Sequence, residues 1–214
     1  MARIRTILWD VGGVLLTNGW DHTERADLFR EFQIDRDEFE ARHEAVNDAW
    51  EKGEISVDEY LDHTLFYEPR DFTREQFFMR MKDMSQWLPH TAVEIVRSLA
   101  GRDDVKLAML SNESRELMDH RIESFGLGQN FSAYLVSAYV GLRKPDPKIF
   151  KLALDVMQST PEETVFVDDR KENAAAASAL GIHGMQYESP QKLQQELKRL
   201  GILLGDHQPA EIKS

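Results

Sequence analysis

The chain has 214 residues, of which 42% are hydrophobic and 30% charged, enough for one sizeable core and a small second domain. Lys and Arg number 26 against 38 Asp and Glu, and the formal net charge of -12 argues against a broad nucleic-acid or anionic-membrane footprint, so any phosphate site must be local. Cys is absent, which excludes disulfides and thiol chemistry and suits a cytoplasmic protein.

The first predicted element is a strand in "TILWDVGG". Ile7, Leu8 and Trp9 form the short apolar run expected of a buried strand, and Asp10, Gly12 and Gly13 close it. Asp10 therefore stands at the carboxyl end of a strand, the edge where open α/β sheets bind ligands, beside glycines that permit close backbone approach. Asp10 also interrupts the apolar run behind Arg3 and Arg5, and no small-residue cleavage site follows, so the stretch does not read as a signal peptide. No run is long enough to span a membrane.

From Asp21 to about Met84 the apolar residues fall at helical spacing, in "ADLFREFQI", "DEFEARHEAVNDAW", "SVDEYLDHTLF" and "REQFFMRMKDM". Gly53 ends one helix, and Ser56 starts the next through a capping box with Glu59. Thr73 caps the helix that carries Glu75 to Met84. The segment reads as a small helical bundle without strands.

From Pro89 helices and strands alternate. "TAVEIVRSLA" is a helix closed by Gly101, "VKLAMLSN" a strand, "ESRELMDHRIESFG" a helix, and "FSAYLVSAYVG" carries a short strand. "PKIFKLALDVM" is a helix, "TVFVDD" a strand, "RKENAAAASALG" a helix and "IHGMQY" the last strand. This succession predicts a parallel α/β sheet with helices on both faces, interrupted after its first strand by the helical insertion. The expected division is a core of residues 1–16 and 89–205, an insertion of 17–88, and a flexible tail of 206–214.

Three strands end in polar residues at one edge: Asp10, then Ser111 and Asn112, then Asp168 and Asp169. Between the last two, the loop of "GLRKPDPKIF" presents Arg143 and Lys144. Acids, a hydroxyl and a lysine converging on a buried edge are costly unless a cation and an anion sit among them. Mg²⁺ suits a few carboxylate and carbonyl oxygens, and phosphate suits Ser111 and Lys144 as donors.

The order "WDVGGVL", "LAMLSN", "GLRKPDPKIF" and "VFVDDRKENAAAASALG" resembles the four motifs of the haloacid dehalogenase-like hydrolases and covers essentially the whole chain. The helical insertion is similar to that family's C1-type cap, on a Rossmann-like core. "DVGGVL", "WEKGEIS", "LSN", "RKPDPKIF" and "DDRKEN" resemble the branch containing bacterial α-glucose-1-phosphate phosphatase and relatives of the epoxide hydrolase N-terminal phosphatase domain. The resemblance implies a phosphatase of a small phosphorylated metabolite, with Asp10 as the nucleophile that forms an aspartyl-phosphate. It implies that Ser111, Asn112 and Lys144 hold the phosphoryl group, Lys144 also serving catalysis. Asp10, the Gly12 carbonyl, Asp168 and Asp169 would bind Mg²⁺, one of the last two by supporting the other ligands rather than touching the ion.

Gly12 departs from the family pattern, which has at that position a second Asp acting as general acid and base. General acid–base help of about 10²–10⁴-fold is therefore missing there, while phosphoryl transfer still draws on positioning and charge neutralisation. Two other readings stand beside the phosphatase: a metal-independent dehalogenase, whose halide needs no general acid, and a non-catalytic binding protein with a degenerate site. Around the site, Asn173 either orients Lys144 or faces the loop. Trp20, Trp50 and Trp87 are expected in the core rather than as a substrate platform, and His22 and His43 as solvated helix residues.

Overall fold

The computed structural model describes residues 2–204, so the expected tail of 206–214 lies outside the described residues. Five parallel strands, β1 (Thr6–Trp9), β2 (Lys106–Ser111), β3 (Ala133–Val136), β4 (Thr164–Asp168) and β5 (His183–Gln186), form one sheet in the order β3-β2-β1-β4-β5. Each parallel neighbour requires a crossover, and helices supply it. Helices α1 (His22–Glu31), α2 (Arg36–Glu51), α3 (Val57–Thr64), α4 (Arg74–Asp83) and α5 (Val93–Leu99) lie between β1 and β2. Helix α6 (Arg115–Ser124) leads to β3, α7 (Ser137–Val140) and α8 (Pro147–Met157) to β4, and α9 (Lys171–Ser178) to β5. Helix α10 (Pro190–Arg199) follows the last strand.

Strand alternation sorts the core into two layers. Ile7, Trp9, Val165 and Val167 pack with Ile95 and Leu99 of α5 and with Leu193 and Leu197 of α10. Leu8 and Phe166 face the other way, with Ile149 and Phe150 of α8 and Ala177 of α9. The fold is thus α/β and Rossmann-like, with both sheet faces covered. Helix α10 has no counterpart among the predicted elements, although Ser189 caps it, Pro190 opens it, and Leu193 and Leu197 repeat one helical turn apart. After β3 the chain turns at once into the short α7, so only Ala133–Val136 of "FSAYLVSAYVG" is strand.

Helices α1 to α4 build a second, aromatic core from Trp20, Phe29, Phe39, Trp50, Tyr60 and Phe77, joined by Leu117 of α6. The sequence programs their starts. Asp21, Asp35, Ser56 and Thr73 each accept a backbone N–H of the first turn, and Ser56–Glu59 and Thr73–Gln76 form capping boxes. The chain enters and leaves this bundle through adjacent linkers. Thr17 N–H donates to the Gln86 carbonyl at 2.8 Å, and the Thr17 hydroxyl to the Met84 carbonyl at 2.8 Å. No helix among the described residues is long and apolar enough to cross a membrane.

Candidate active site

The register that sets Trp9 opposite both Met109 and Val167 brings Asp10, Ser111 and Asp168 together at the carboxyl edge of the three central strands. Asp10 is buried there. One of its carboxylate oxygens accepts from Val11 N–H and from the Ser111 hydroxyl, each at 2.7 Å, and the other lies 3.0 Å from Lys144 Nζ. Ser111 therefore serves the nucleophile candidate directly; the cap of α6 is Ser114.

Lys144 is almost fully enclosed and bridges two carboxylates, with Nζ 2.6 Å from Asp168 Oδ2. Asp168 is held from behind by Arg170 N–H at 2.8 Å and by Asn173 Nδ2, 3.1 Å from both oxygens. Asn173 thus orients Asp168, and Lys144 only through it. The Asn112 side chain clasps the Lys144 backbone from both sides, donating to its carbonyl and accepting from its N–H, each at 2.8 Å. One amide proton of Asn112 remains for a ligand. Asp169 completes the group, and one oxygen of each of Asp10, Asp168 and Asp169 lies within 4.8 Å of the other two. Gly13 must be glycine: its φ is +69°, and a Cβ would run into the Asp169 carboxylate.

The electrostatics are unbalanced. Asp10 and Asp168 are buried and Asp169 half-buried, and they face one ammonium, Lys144, with the Arg170 guanidinium easing Asp169 from outside. Burial drives the Asp10 carboxyl up to about 7, with Asp168 and Asp169 adding to it and Lys144 and Ser111 opposing. Burial, then Asp168, raises Asp169 as well. For Lys144 burial works against the ammonium, but Asp10 and Asp168 outweigh it and hold its pKa above the usual value. Asp169 Oδ1 is buried without a hydrogen-bond partner. An all-oxygen donor set rich in carboxylate, short of positive charge and with one oxygen unused suits a hard divalent cation.

Above this edge, between the sheet and the bundle, opens a cleft of about 790 Å³. Gly12 and Asn18 line it beside Asp10, and Trp20, His43, Asn47 and Trp50 line it from the bundle. Arg143 closes one side, reaching from the loop before Lys144 to Asp48 at 2.9 Å and Glu51 at 2.5 Å on α2. Trp20 and Trp50 are core residues whose edges border the cleft, but Trp87, expected in the core, is exposed: it lies in the linker after the bundle and packs edge-on against Phe125, away from the cleft. His22 is solvated as expected, but His43 is not. It is buried, and its Nδ1 lies 2.8 Å from the Tyr60 hydroxyl.

Sequence reasoning missed one strut beneath the cleft. Arg121 of α6, 1% exposed, reaches the Glu113 carboxylate at 2.9 Å, the Ser85 hydroxyl at 3.0 Å and the Asn18 carbonyl at 2.8 Å. It ties both linkers to the segment after Ser111. The available signal is its place on the buried stripe of α6, one turn from Leu117 and Met118.

Flavin mononucleotide hydrolase 1 of Arabidopsis thaliana is 28% identical over 169 residues, 76% of this chain and 65% of that protein. Phosphoserine phosphatase of Thermus thermophilus is 35% identical over 81 residues, 38% of this chain and 32% of that protein. Each match spans less than two thirds of the relative's own length. Among solved structures, a HAD-family enzyme of Bacteroides thetaiotaomicron in complex with magnesium and inorganic phosphate superposes with a TM-score of 0.74 at 23% identity, covering 87% of this chain and 95% of that one. A family model described as haloacid dehalogenase-like hydrolase matches residues 4–181, most of the chain, and the protein belongs to that family.

Proposed function

We propose that the protein is a Mg²⁺-dependent phosphatase of a small phosphorylated metabolite, sugar phosphates included, working in the cytoplasm through an aspartyl-phosphate on Asp10. The observation that carries this reading is the trio Asp10, Asp168 and Asp169, the first two buried and Asp169 half-buried, with Lys144 as the one ammonium bridging Asp10 and Asp168, opening into a polar cleft. The similarity to a flavin mononucleotide hydrolase and a phosphoserine phosphatase supports it. Residues 1–16 and 89–205 act as the catalytic core and 17–88 as the cap that covers it.

In this reading Asp10, Asp168, Asp169 and the Gly12 carbonyl hold Mg²⁺, which neutralises phosphate charge when bound. An Asp10 oxygen attacks phosphorus as the ester oxygen leaves, and a water then attacks the phosphorus of the aspartyl-phosphate to release phosphate and restore Asp10. Lys144 and Ser111 face the charge that develops on the phosphoryl oxygens. Asn112 holds the Lys144 loop at the height this requires. A halide-releasing reaction has no use for the two acids beyond Asp10, and a binding protein has no need of a lysine buried against them.

The test is phosphate release from p-nitrophenyl phosphate with Mg²⁺ and with EDTA, for the wild type and Asp10→Asn. Turnover that EDTA abolishes, Mg²⁺ restores and Asp10→Asn lacks is the expected result. Full turnover in EDTA, or Asp10→Asn within tenfold of wild type, overturns the proposal.

A further inference from the structure

We propose that His43 is a specificity residue of the cleft, held as its Nε2–H tautomer by the Trp20–Tyr60 hydrogen-bond chain so that it donates to a neutral oxygen, hydroxyl or carbonyl, on the leaving group. The inference rests on the phosphatase reading and names the class of leaving group that reading would take.

The tautomer follows from a count of protons. The indole Nε1 of Trp20 is a donor only, and it lies 2.8 Å from the Tyr60 hydroxyl, so that oxygen accepts. Tyr60 is completely buried, and its own proton needs an acceptor. His43 Nδ1, 2.8 Å away, is the acceptor the structure provides. Nδ1 therefore carries a lone pair and Nε2 the proton. Among the described residues Nε2 has no hydrogen-bond partner in the protein, and His43 lines the cleft.

The surrounding rings fix this donor in place. Phe39 lies parallel to the imidazole, with 6.0 Å between centroids, and Tyr60 meets it edge-on. Trp50 stacks on Tyr60 at 3.9 Å and secures the far side of the chain. Burial, reinforced by the nearby Arg25 guanidinium, holds the imidazole pKa down to about 3, so the ring is neutral near pH 7. A neutral imidazole is a poor general acid, and His43 does not replace the carboxylate absent at Gly12.

The polarity of the ligand follows from the bundle side of the cleft, where each cation is already paired. Arg25 is held by Glu40 at 2.7 Å and Lys52 by Asp48 at 2.5 Å. Beside His43 a second anionic group on the substrate finds no free cation, whereas a hydroxyl or carbonyl finds the Nε2–H; Arg170 and Lys148, without an ion pair among the described residues, line the cleft from the core side. A site built to hydrogen-bond such an oxygen discriminates against an isostere that lacks it.

The test compares kcat/KM for a hexose phosphate and glycerol phosphate with that for cyclohexyl phosphate, all with Mg²⁺, in the wild type, His43→Phe and His43→Gln. The expected result is a wild-type preference for the hydroxyl-bearing esters that falls about tenfold in His43→Phe and is partly restored in His43→Gln, which keeps an N–H donor. A wild type without that preference, or an equal loss on all esters in His43→Phe, overturns the role of His43 while leaving the phosphatase reading intact. Absence of Mg²⁺-dependent turnover on any ester overturns the phosphatase reading itself. Should His43→Phe fail to fold, ¹⁵N NMR of the wild-type imidazole decides: protonated Nε2 and bare Nδ1 are expected, and a protonated Nδ1 refutes the proposal.

Discussion

Asn18 Oδ1 stands 2.8 Å from the point a Cβ on Gly12 would occupy. The first-linker amide therefore fills the space beside Asp10 that a side chain at Gly12 would need. Without a carboxylate there, the ester oxygen departs unprotonated or takes its proton from elsewhere, so kcat/KM should climb steeply as leaving-group pKa falls. Aryl and anomeric phosphates should outrun simple alkyl phosphates. Gly12→Asp alone must displace Asn18, whereas Gly12→Asp combined with Asn18→Gly has room for the new carboxylate and should flatten the dependence. A flat wild-type series across widely different leaving groups would show that another acid is at work.

Lys144 is the one ammonium between Asp10 and Asp168, and its removal has two separable effects. Lys144→Ala should lower kcat on the order of 10²-fold, because it removes a donor facing charge that grows in the transition state. It should also destabilise the fold by about 3–5 kcal/mol, because it leaves buried carboxylates unpaired. Mg²⁺ should raise the melting temperature of Lys144→Ala more than that of the wild type, since a divalent ion offsets the same excess charge. Equal shifts in the two proteins would separate the lysine from the cation site.

His43 makes stability depend on pH in a predictable direction. Its folded pKa is about 3 against 6.5 for the free side chain, from burial first and Arg25 second, with Tyr60 and the Arg25–Glu40 pair as its polar neighbours. Between those values the unfolded chain binds the proton that the folded chain refuses. The stabilisation is therefore complete above about pH 6.5 and declines as pH falls towards 3, by on the order of 2 kcal/mol at pH 5. Urea unfolding at pH 7 and pH 5 should show the wild type losing that much more than His43→Gln. The same loss in both proteins would mean that His43 is protonated in the folded state.

The legible part of this molecule is the part whose signal is local. Asp10, Ser111 and Asp168 could be placed because each ends an apolar run, and parallel strands bring such ends to one edge. Ser56 and Thr73 could be placed because a capping box spans four residues. His43 was expected in solvent because a lone histidine in a polar helix usually is, yet it sits one turn after Phe39 and two turns before Trp50, on the buried stripe of α2. Asn18 has no comparable signal, and Arg121 has only its place on the buried stripe of α6, which does not name its partners. Their roles depend on which linker meets which helix across about a hundred positions of chain, as the Arg121–Asn18 bond shows.

Arg143 joins the loop that carries Lys144 to the bundle. Its guanidinium bridges Asp48 and Glu51 of α2, one residue before the lysine that faces Asp10. A second contact lies farther along, where Val57 N–H donates to Glu116 at 3.0 Å, so the bundle remains attached when the first is cut. The Arg143 pair is partly exposed, and such pairs contribute about 1 kcal/mol or less. Arg143→Met should therefore leave the melting temperature nearly unchanged while raising KM several-fold, because the closed cleft becomes less populated before substrate binds. Arg143→Lys should recover little of this, since a single ammonium cannot span both carboxylates as the planar fork does. High salt should raise the wild-type KM towards that of Arg143→Met. If KM is unchanged in Arg143→Met and insensitive to salt, the pair does not govern closure, and the Val57–Glu116 contact becomes the one to cut.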